Sequence, residues 1–325
     1  MKLINKNQKI FIAGHKGMAG KAICKSLKNN GYQNVLTVDR SKLDLMKYGD
    51  VKDFLSFEKP EVVVIAAAKV GGISANSKYP VDFLLNNLKI QNNLIELSFK
   101  EGVKRLLFLG SSCIYPKFSE QPIKEEELLK GYLESSNEWY AIAKISGIKL
   151  CQAFRKQYGF DAISLMPNNL YGPGDNYHIE NSHVLAAMIR RYIEAKRKNL
   201  SKVTCWGTGS PFREFLYSED LGDACLFALE NWDPTSKNAP LDKNGDPLSI
   251  LNVGTGKDIT IKKLSFMISE FVNYEGITEW DHSKPDGTPR KKLDVSRLSK
   301  LGWEAKTSLE YGLKKTIAEI DNMEF

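Results

Sequence analysis

Short apolar runs alternate with amphipathic stretches over the first half of the chain. Runs rich in Val, Ile and Leu, bounded by glycine or polar residues, are typical of buried β-strands. Between two of them, residues 82–102 (DFLLNNLKIQNNLIELSFKEG) repeat apolar positions at helical spacing. This alternation predicts an α/β fold with a doubly wound parallel sheet. The runs are KIFIAG (9–14), NVLTVD (34–39), EVVVIAAA (61–68), RLLFLGSS (105–112) and DAISLMP (161–167).

The regular alternation ends after Met166. Residues 171–182 and 234–248 are rich in turn formers, and a helical pattern covers 183–198. We therefore expect a smaller α/β domain at the carboxyl edge of the sheet, where open α/β sheets bind ligands. The predicted division gives a Rossmann domain (1–170 plus about 214–255) and a substrate domain (about 171–213 plus 256–325).

Composition narrows the class of protein. The 325 residues contain no long apolar run, and the start of the chain lacks the apolar core of a signal peptide. Five cysteines, at positions 24, 113, 151, 205 and 225, form neither a disulfide framework nor a paired CxxC metal pattern. We expect a cytoplasmic protein, with no membrane or metal partner.

The net charge of +7 has two readings. Lysines spread along the chain are either solvated surface residues or attract phosphorylated small molecules. Dense basic tracts interleaved with aromatic residues are absent from the sequence, so a nucleic-acid partner is not expected.

Three glycines follow the first predicted strand and open a helix. Gly14, Gly17 and Gly20 give the spacing GxxGxxG. Missing side chains let the backbone approach a pyrophosphate at the helix N-terminus. The alternative is a turn in which strand and helix only pack tightly, but the position between first strand and helix favours a dinucleotide.

The end of the second predicted strand bears on which dinucleotide binds. Asp39 is of the type that accepts from the adenosine ribose hydroxyl of NAD, whereas Arg40 suits the 2′-phosphate of NADP. Lys16, in the glycine turn, adds a second cation. Two cations against one carboxylate favour NADP.

A tyrosine and a lysine one helical turn apart supply candidate reduction chemistry. YxxxK occurs at Tyr48, Tyr140, Tyr192 and Tyr311, and only Tyr140 lies between the serine-bearing fourth strand and the fifth. Its hydroxyl could protonate an oxygen as hydride reaches the attached carbon. A neighbouring ammonium on Lys144 is expected to lower the phenol pKa by about 3 units, from its usual value of about 10.

Nine sequence blocks together closely resemble the GDP-L-fucose synthase family, the GDP-4-keto-6-deoxy-mannose 3,5-epimerase/4-reductases among the extended short-chain dehydrogenase/reductases. The resemblance covers nearly the whole chain and implies NADPH as cofactor, a GDP-linked 4-keto sugar as substrate and a homodimer formed through residues 86–100 and 140–157. The blocks are GHKGMAG, AAAKVGGI, LLFLGSSCIYPK, YAIAKISGIKLC, NLYGPGDN, NSHV, FREFL, LNVGTG and KPDGTPRK.

The resemblance also implies roles for individual residues. Ser111, Tyr140 and Lys144 would be the reductive triad. Cys113 and His183 would exchange protons at C3 and C5 of the sugar, since thiols and imidazoles as a class can be tuned to work near neutral pH. The implied GDP-binding residues are Arg191, Trp206, Arg213, Asp286 and Lys291. The implied cofactor-binding residues are Gly14, His15, Lys16, Gly17, Met18, Gly20, Arg40, Asp44, Leu45, Leu109, Gly110, Ser111, Lys144, Pro167, Asn169, Leu170 and His183.

Each of these residues also has an alternative structural role, in packing or in a surface ion pair. Cys113 could be a small buried residue, and His183 an exposed residue at a helix start. Arg213 could form a surface salt bridge with Glu214 or Glu219. If residues 111–113 are extended, Ser111 and Cys113 point to the same side, which favours a shared role at the substrate.

Three departures and two further functions stay open. Asp39 adds an acid to the cofactor pocket, and Trp139 and Asn168 replace the family's usual Pro and Thr where the sugar is expected. The chain could be a C4 reductase only, acting on a GDP-4-keto heptose after a separate epimerase. A non-catalytic NADP sensor or scaffold is the alternative of another class. Dehydration and plain 4-epimerisation are not expected, because Cys113 follows the fourth strand and His183 stands in NSH.

Overall fold

The computed structural model describes residues 2–179, 182–284 and 286–320. A six-stranded, wholly parallel sheet forms its centre, with strand order β2-β1-β3-β4-β5-β9. The strands are β1 (Ile10–Ala13), β2 (Val35–Leu36), β3 (Val62–Ile65), β4 (Arg105–Leu109), β5 (Asp161–Pro167) and β9 (Ile250–Val253).

Helices cover both faces of this sheet, as expected for a doubly wound fold. Ile10 and Ile12 of β1 pack in one apolar core with α1 and α7, while Phe11 and Ala13 pack in the other with α2, α4 and α5. Successive strand residues point to opposite faces, and both faces are buried, which explains the continuous apolar runs. The helices concerned are α1 (Met18–Asn29), α2 (Tyr48–Glu58), α4 (Asn87–Lys100), α5 (Glu138–Tyr158) and α7 (Ser218–Asn231).

Smaller sheets and the remaining helices lie beyond the carboxyl edge of the large sheet. Strand β8 pairs with β6, β10 and β12, and β7 pairs in parallel with β11. A third apolar core joins these strands to α6, α8 and α10. The elements are β6 (Asn169–Tyr171), β7 (Lys202–Trp206), β8 (Phe212–Tyr217), β10 (Asp258–Thr260), β11 (Ile277–Asp281), β12 (Arg290–Lys291), α3 (Ile73–Lys78), α6 (Val184–Arg197), α8 (Ile261–Val272), α9 (Ser296–Leu301) and α10 (Leu309–Ile320).

Three local features differ from the sequence expectation. Strand β2 ends at Leu36, so residues 37–39, which include Asp39, lie outside the sheet. Strand β4 ends at Leu109, and residues 112–114 form a 3-10 turn. The helical stretch from residue 82 begins with a π-helical turn, Asp82–Asn86, before α4. Within the described ranges, none of the helices has the length and apolar character needed to cross a membrane.

Candidate active site

Two glycines of the turn have no room for a side chain, whereas the third has open space beside it. Gly14 has φ of 90°, and a Cβ there would lie 2.6 Å from the backbone nitrogen of Ala67. A Cβ on Gly20 would collide with the carbonyl oxygen of Gly14. At Gly17, the N-cap residue of α1, a Cβ would meet only that carbonyl, at 3.6 Å. The turn therefore fits a pyrophosphate approaching Gly17 at the helix N-terminus.

Asp39 is bound by the glycine turn. Its carboxylate lies 2.9 Å from Lys16 Nζ and 3.3 Å from His15 Nε2, and the hydrogen bond from Lys16 lowers its pKa. Arg40 is exposed beside this group. The acid thus neutralises much of the charge of Lys16, which leaves Arg40 as the stronger candidate for a 2′-phosphate.

Ser111, Tyr140 and Lys144 meet where β4 ends against α5. Lys144 is buried and donates to the Leu109 carbonyl at 2.8 Å. Its ammonium nitrogen lies 5.8 Å from the centre of the Tyr140 ring. Ser111 accepts from the Cys113 amide at 3.2 Å, and its hydroxyl also interacts with that of Tyr140. The geometry brings the three predicted reductive side chains to one edge of the sheet.

The expected lowering of the Tyr140 pKa is wrong for the protein without ligands. Burial raises the pKa of Tyr140, and burial lowers the pKa of Lys144 to about 7. The lysine ammonium is directed at a backbone carbonyl and is itself poorly solvated. With a pKa of about 7, Lys144 is only partly protonated near neutral pH, so it offers too little positive charge to offset the desolvation of the phenol.

Cys113 faces the site, but for a different reason from the one expected. Residues 112–114 turn in a 3-10 helix, so alternation along an extended strand does not apply. The Cys113 sulfur accepts from Asn137 Nδ2 at 3.3 Å and lies 3.7 Å from Lys291 Nζ. Ser112 points into the protein, where its hydroxyl meets Asn168 at 3.4 Å.

His183 is the N-cap residue of α6 and does not cap it through its side chain. The ring keeps contact with solvent, yet the dense protein around it lowers its pKa. Asn181 of the NSH block lies outside the described residues. Among the described residues, no hydrogen bond joins His183 to Cys113, so the structure does not bring this predicted pair into direct contact.

Arg213 and Lys291 are direct neighbours on paired strands, β8 and β12. Burial lowers the pKa of Arg213, and its guanidinium bonds only backbone carbonyls, those of Phe212 (2.8 Å) and Asp286 (3.4 Å), among described residues. The alternative of a salt bridge to Glu214 or Glu219 is wrong. Glu214 is fully buried elsewhere, and Glu219 pairs with Lys25 and Lys315.

Trp206, at the end of β7, has an exposed indole with two cations near it. The Arg191 guanidinium lies 5.4 Å and Lys284 Nζ 5.7 Å from the ring centre. Half of the Trp206 surface is accessible (51%), which leaves a ring face for a base to stack on. Arg191 and Trp206 are thus brought together as the resemblance implied.

Asp286 connects two loops through its carboxylate. Both carboxylate oxygens accept from Thr208, at 2.7 Å from its amide and 2.8 Å from its hydroxyl. The side chain thereby ties the loop after β11 to the loop after β7, and its contact with substrate stays a prediction. Its backbone carbonyl faces Arg213 and helps to orient that guanidinium.

The other predicted cofactor residues lie mainly along the same sheet edge. Asp44 and Leu45 are exceptions, in the loop after β2, where the Asp44 carboxylate accepts from the Met46 amide at 3.1 Å. Asn169 donates to the Glu214 carbonyl at 2.9 Å. Met18 begins α1, Leu109 ends β4 and Gly110 follows it, Pro167 ends β5, and Asn169 and Leu170 belong to β6.

Asn168, which was expected near the sugar, lies inside the protein. It is buried, and its amide nitrogen donates to Glu214 at 2.6 Å. Burial raises the pKa of Glu214, whose carboxylate also accepts from the amides of Thr255, Gly256 and Leu293. Sequence reasoning missed this junction, since only the pairing of distant loops reveals it. Trp139 remains at the surface, 37% exposed.

Asn137 was also missed by sequence reasoning. An Asn just before a helix is typical of an N-cap, so its contact with Cys113 was not expected from the sequence. No group of three or more His, Cys, Asp or Glu side chains in the described part of the chain could hold a metal ion.

Comparison with known proteins identifies the family to which this chain belongs. A profile of the NAD dependent epimerase/dehydratase family matches residues 10–241. GDP-L-fucose synthase 1 of Arabidopsis thaliana is 53% identical, over 96% of this chain and 93% of that protein. A solved GDP-6-OMe-4-keto-L-xylo-heptose reductase from C. jejuni is 35% identical, with TM-score 0.90 over 97% of this chain and 98% of that one. A GDP-mannoheptose C4 reductase from Campylobacter jejuni with NADP bound is 33% identical, with TM-score 0.85 over 98% and 100% of the two chains.

The parallel sheet, the glycine turn and the Ser–Tyr–Lys group define a dinucleotide-dependent enzyme of the short-chain dehydrogenase/reductase class. The chain belongs to the NAD dependent epimerase/dehydratase family. The sequence similarity over nearly the full chain confirms the resemblance to the GDP-L-fucose synthases.

Proposed function

We propose that the protein uses NADPH to reduce the C4 keto group of a GDP-4-keto-6-deoxy sugar, after exchanging protons at C3 and C5. The carrying observation is that Cys113 joins the two halves of the site. Its turn begins at Ser111 of the reductive group, and its sulfur lies 3.7 Å from Lys291, the neighbour of Arg213. The relatives named as GDP-L-fucose synthases support the GDP sugar.

The residues present fit the cofactor. Gly17 leaves room for the pyrophosphate, and Arg40 offers a charge for the 2′-phosphate. When bound, NADPH would supply the hydride that reaches C4. Tyr140 would then give its hydroxyl proton to O4, while Ser111 donates a hydrogen bond to the same oxygen. The products are an alcohol at C4 and the oxidised cofactor.

Proton exchange would use the same oxygen site. The keto group acidifies the hydrogens on C3 and C5, because the electron pair left by proton removal spreads onto O4 as an enolate. Ser111 and Tyr140 would stabilise that oxygen. Inversion at a carbon requires a proton to leave one face and return to the other, and Cys113 and His183 are the proposed groups for these transfers.

A reductase that acts on a GDP-4-keto heptose without epimerisation is the second candidate. The two heptose reductases of similar fold favour it. A non-catalytic sensor has less support, because the reductive side chains are assembled. Turnover of NADPH with GDP-4-keto-6-deoxy-mannose and with a pre-epimerised GDP-4-keto heptose discriminates among the three. The proposal expects faster turnover with the hexose. No turnover with either sugar would favour the sensor.

Cys113→Ala separates the two proposed reactions. The variant should stop deuterium uptake at C3 and C5 from heavy water, because the sulfur is gone. It should still reduce a pre-epimerised 4-keto sugar, because Ser111, Tyr140 and Lys144 are unchanged. Exchange at the wild-type rate in this variant would remove Cys113 from the proposed mechanism.

Cofactor choice rests on Arg40 in this proposal. Arg40→Ala should weaken binding of NADPH more than binding of NADH, measured by titration of the reduced cofactor's fluorescence. Asp39→Asn is the companion variant, since it frees Lys16 and should tighten NADPH binding. Equal losses for both cofactors in Arg40→Ala would contradict a 2′-phosphate contact.

The domain division, location and assembly given in the sequence analysis are also proposed for this protein. Five free cysteines support a reducing, cytoplasmic setting. Val81 and Leu85 before α4 and Ile142 and Tyr158 on α5 are exposed apolar side chains, which supports a homodimer through these helices. Sedimentation of the wild type against Ile142→Asp tests the assembly, and unchanged monomer mass in both would contradict it.

A further inference from the structure

We propose that Asn137 is a positioning residue for proton exchange, which holds the Cys113 sulfur through its side-chain amide. This inference rests on the proposed role of Cys113 in exchange at C3 and C5. Asn137 Nδ2 lies 3.3 Å from Cys113 Sγ and donates to it. It is closer to the sulfur than Lys291 Nζ, which lies at 3.7 Å.

The Asn137 side chain does not perform the structural role that its position suggests. Asn is among the most favoured N-cap residues, where the side chain accepts from a backbone amide of the first helical turn. Asn137 is the N-cap residue of α5, yet its side chain makes no capping hydrogen bond. The amide is turned away from the helix and toward the sulfur.

The other end of this amide has no partner among the described residues. Asn137 Oδ1 is buried, and no described residue donates a hydrogen bond to it. Buried polar atoms without partners are uncommon, and each needs an explanation such as a catalytic role. The Asn137 amide is therefore placed by its contact with the sulfur, since its oxygen forms no hydrogen bond with a described residue that would fix it.

The segment that carries Asn137 is fixed from both sides. Glu134 accepts from Ser136 within the 3-10 turn Ser135–Asn137. Its carboxylate also pairs with Lys117 at 3.0 Å and meets the Thr288 hydroxyl at 3.4 Å. Helix α5 begins at the next residue, so Asn137 and Tyr140 are held in one rigid unit. The sulfur is thereby placed relative to the reductive hydroxyl.

Lys291 alone would be a poor support for the sulfur during the reaction. Lys291 on β12 lies opposite Arg213 on the paired strand β8. Both residues are among the cations proposed to bind the diphosphate. A bound diphosphate would attract the lysine ammonium and weaken its contact with Cys113. The Asn137 amide is neutral and is not drawn to phosphate, so its contact with the sulfur persists in the complex.

The test uses two readouts of the full-length enzyme, neither of which depends on hydride transfer. The first is deuterium uptake at C3 and C5 of GDP-4-keto-6-deoxy-mannose with NADP in place of NADPH. The second is the rate at which iodoacetamide alkylates Cys113, resolved from the other cysteines by mass spectrometry. Asn137→Ala should slow both by about tenfold, the effect of losing one hydrogen bond to a charged acceptor. Reduction of a pre-epimerised 4-keto sugar should change much less.

Asn137→Asp is the matched variant, because it keeps the shape and replaces the donor by a carboxylate oxygen. It should slow exchange and alkylation at least as much as Asn137→Ala. The urea midpoint should stay at the wild-type value in Asn137→Ala, since no capping bond is lost. Unchanged alkylation and exchange in Asn137→Ala would overturn the proposal. So would wild-type rates in Asn137→Asp, or an equal loss of exchange and reduction accompanied by a lower urea midpoint.

The experiment distinguishes failure of the proposed epimerisation from failure of the proposed role of Asn137. If wild-type enzyme exchanges no deuterium at C3 and C5, the proposed epimerisation is wrong, and with it the role of Asn137 in exchange. If wild-type enzyme exchanges deuterium and Asn137→Ala does so equally fast, only the role of Asn137 is wrong. The alkylation rate reports on the Asn137–Cys113 contact in either case.

Discussion

The hydroxyl of Tyr140 is the only proposed proton source for O4 that lies beside Ser111 and Lys144. Three other YxxxK pairs occur, and their tyrosines lie on α2, α6 and α10 rather than on α5. Tyr192 is fully buried, with its hydroxyl 2.7 Å from both Ser265 and Thr278. Its substitution would leave those hydroxyls unpaired, which makes it a poor control. Tyr311, at 62% exposure, is a better one.

Tyr140→Phe should therefore lower turnover by about 10²–10⁴-fold, the usual contribution of a general acid. NADPH binding should survive, because the ring remains in place. Steady-state NADPH oxidation measures the first effect and cofactor fluorescence the second. Tyr311→Phe should match the wild type in both. Wild-type turnover in Tyr140→Phe would assign the proton to another group.

Lys144 predicts a pH dependence of folding stability. Its pKa is about 7 in the folded protein and about 10.5 when unfolded, so the unfolded chain binds more protons between these values. The penalty for burying the ammonium is fully present below pH 7 and fades as the pH rises. Relative to wild type, Lys144→Met should be more stable at pH 6 than at pH 9 by about 3 kcal/mol.

Urea unfolding at both pH values, without cofactor, measures this difference. Lys149→Met is the control, since Lys149 is exposed on the same helix. Its stability difference from wild type should not change with pH. A pH-independent difference for Lys144→Met would mean that Lys144 stays protonated in the folded protein.

At the scale of elements, the glycine turn separates packing from ligand binding. Gly20→Ala forces a Cβ against the Gly14 carbonyl, which is backbone and cannot move cheaply. This variant should lose about 1–3 kcal/mol of stability, the usual effect of overpacking. Gly17→Ala places its Cβ 3.6 Å from the nearest atom and should fold normally. It should nevertheless bind NADPH weakly, because the methyl group enters the space of the pyrophosphate.

Urea midpoints and cofactor titrations of these two variants provide the measurement. The expected pattern is opposite in kind: lost stability for Gly20→Ala, and lost affinity at normal stability for Gly17→Ala. If Gly17→Ala bound NADPH as well as the wild type, the turn would be a packing feature only.

Strands buried on both faces could be predicted from the sequence, because a continuous apolar run can be recognised without knowledge of the tertiary structure. Strands β1, β3, β4 and β5 confirm this. The shortening of β2 and the turn at Cys113 could not be predicted, since hydrogen bonds to distant segments decide where each strand ends. For the same reason the Asp286–Thr208 contact escaped sequence reasoning. The glycine turn and the Tyr140/Lys144 pair could be predicted, because their spacing is local, whereas Ser111 came from the resemblance to the family.

At the scale of the whole molecule, Glu214 connects four distant segments. Its buried carboxylate accepts from Asn168, Leu293 and the loop of Thr255 and Gly256, at 2.5 to 2.8 Å. These segments lie beside the turn of Cys113, beside Lys291 and after β9. A single carboxylate thus joins the large sheet to the strands that carry the candidate phosphate-binding residues.

Glu214→Ala should destabilise the protein by several kcal/mol, because it leaves several buried donors without an acceptor. Glu219→Ala is the matched control. Glu219 pairs with Lys25 and Lys315 at the surface, so its loss should cost less than about 1 kcal/mol. Urea unfolding of the two variants compares them directly. Similar midpoints for both would show that the buried junction contributes little.

The central claim is that one site both exchanges hydrogens at C3 and C5 and reduces C4. The most direct test is proton NMR and mass spectrometry of the product formed by wild-type enzyme from GDP-4-keto-6-deoxy-mannose and NADPH in heavy water. The account predicts a reduced sugar with deuterium at C3 and C5 and with ordinary hydrogen, from NADPH, at C4. A reduced product without deuterium at C3 and C5 would contradict it and leave a reductase alone.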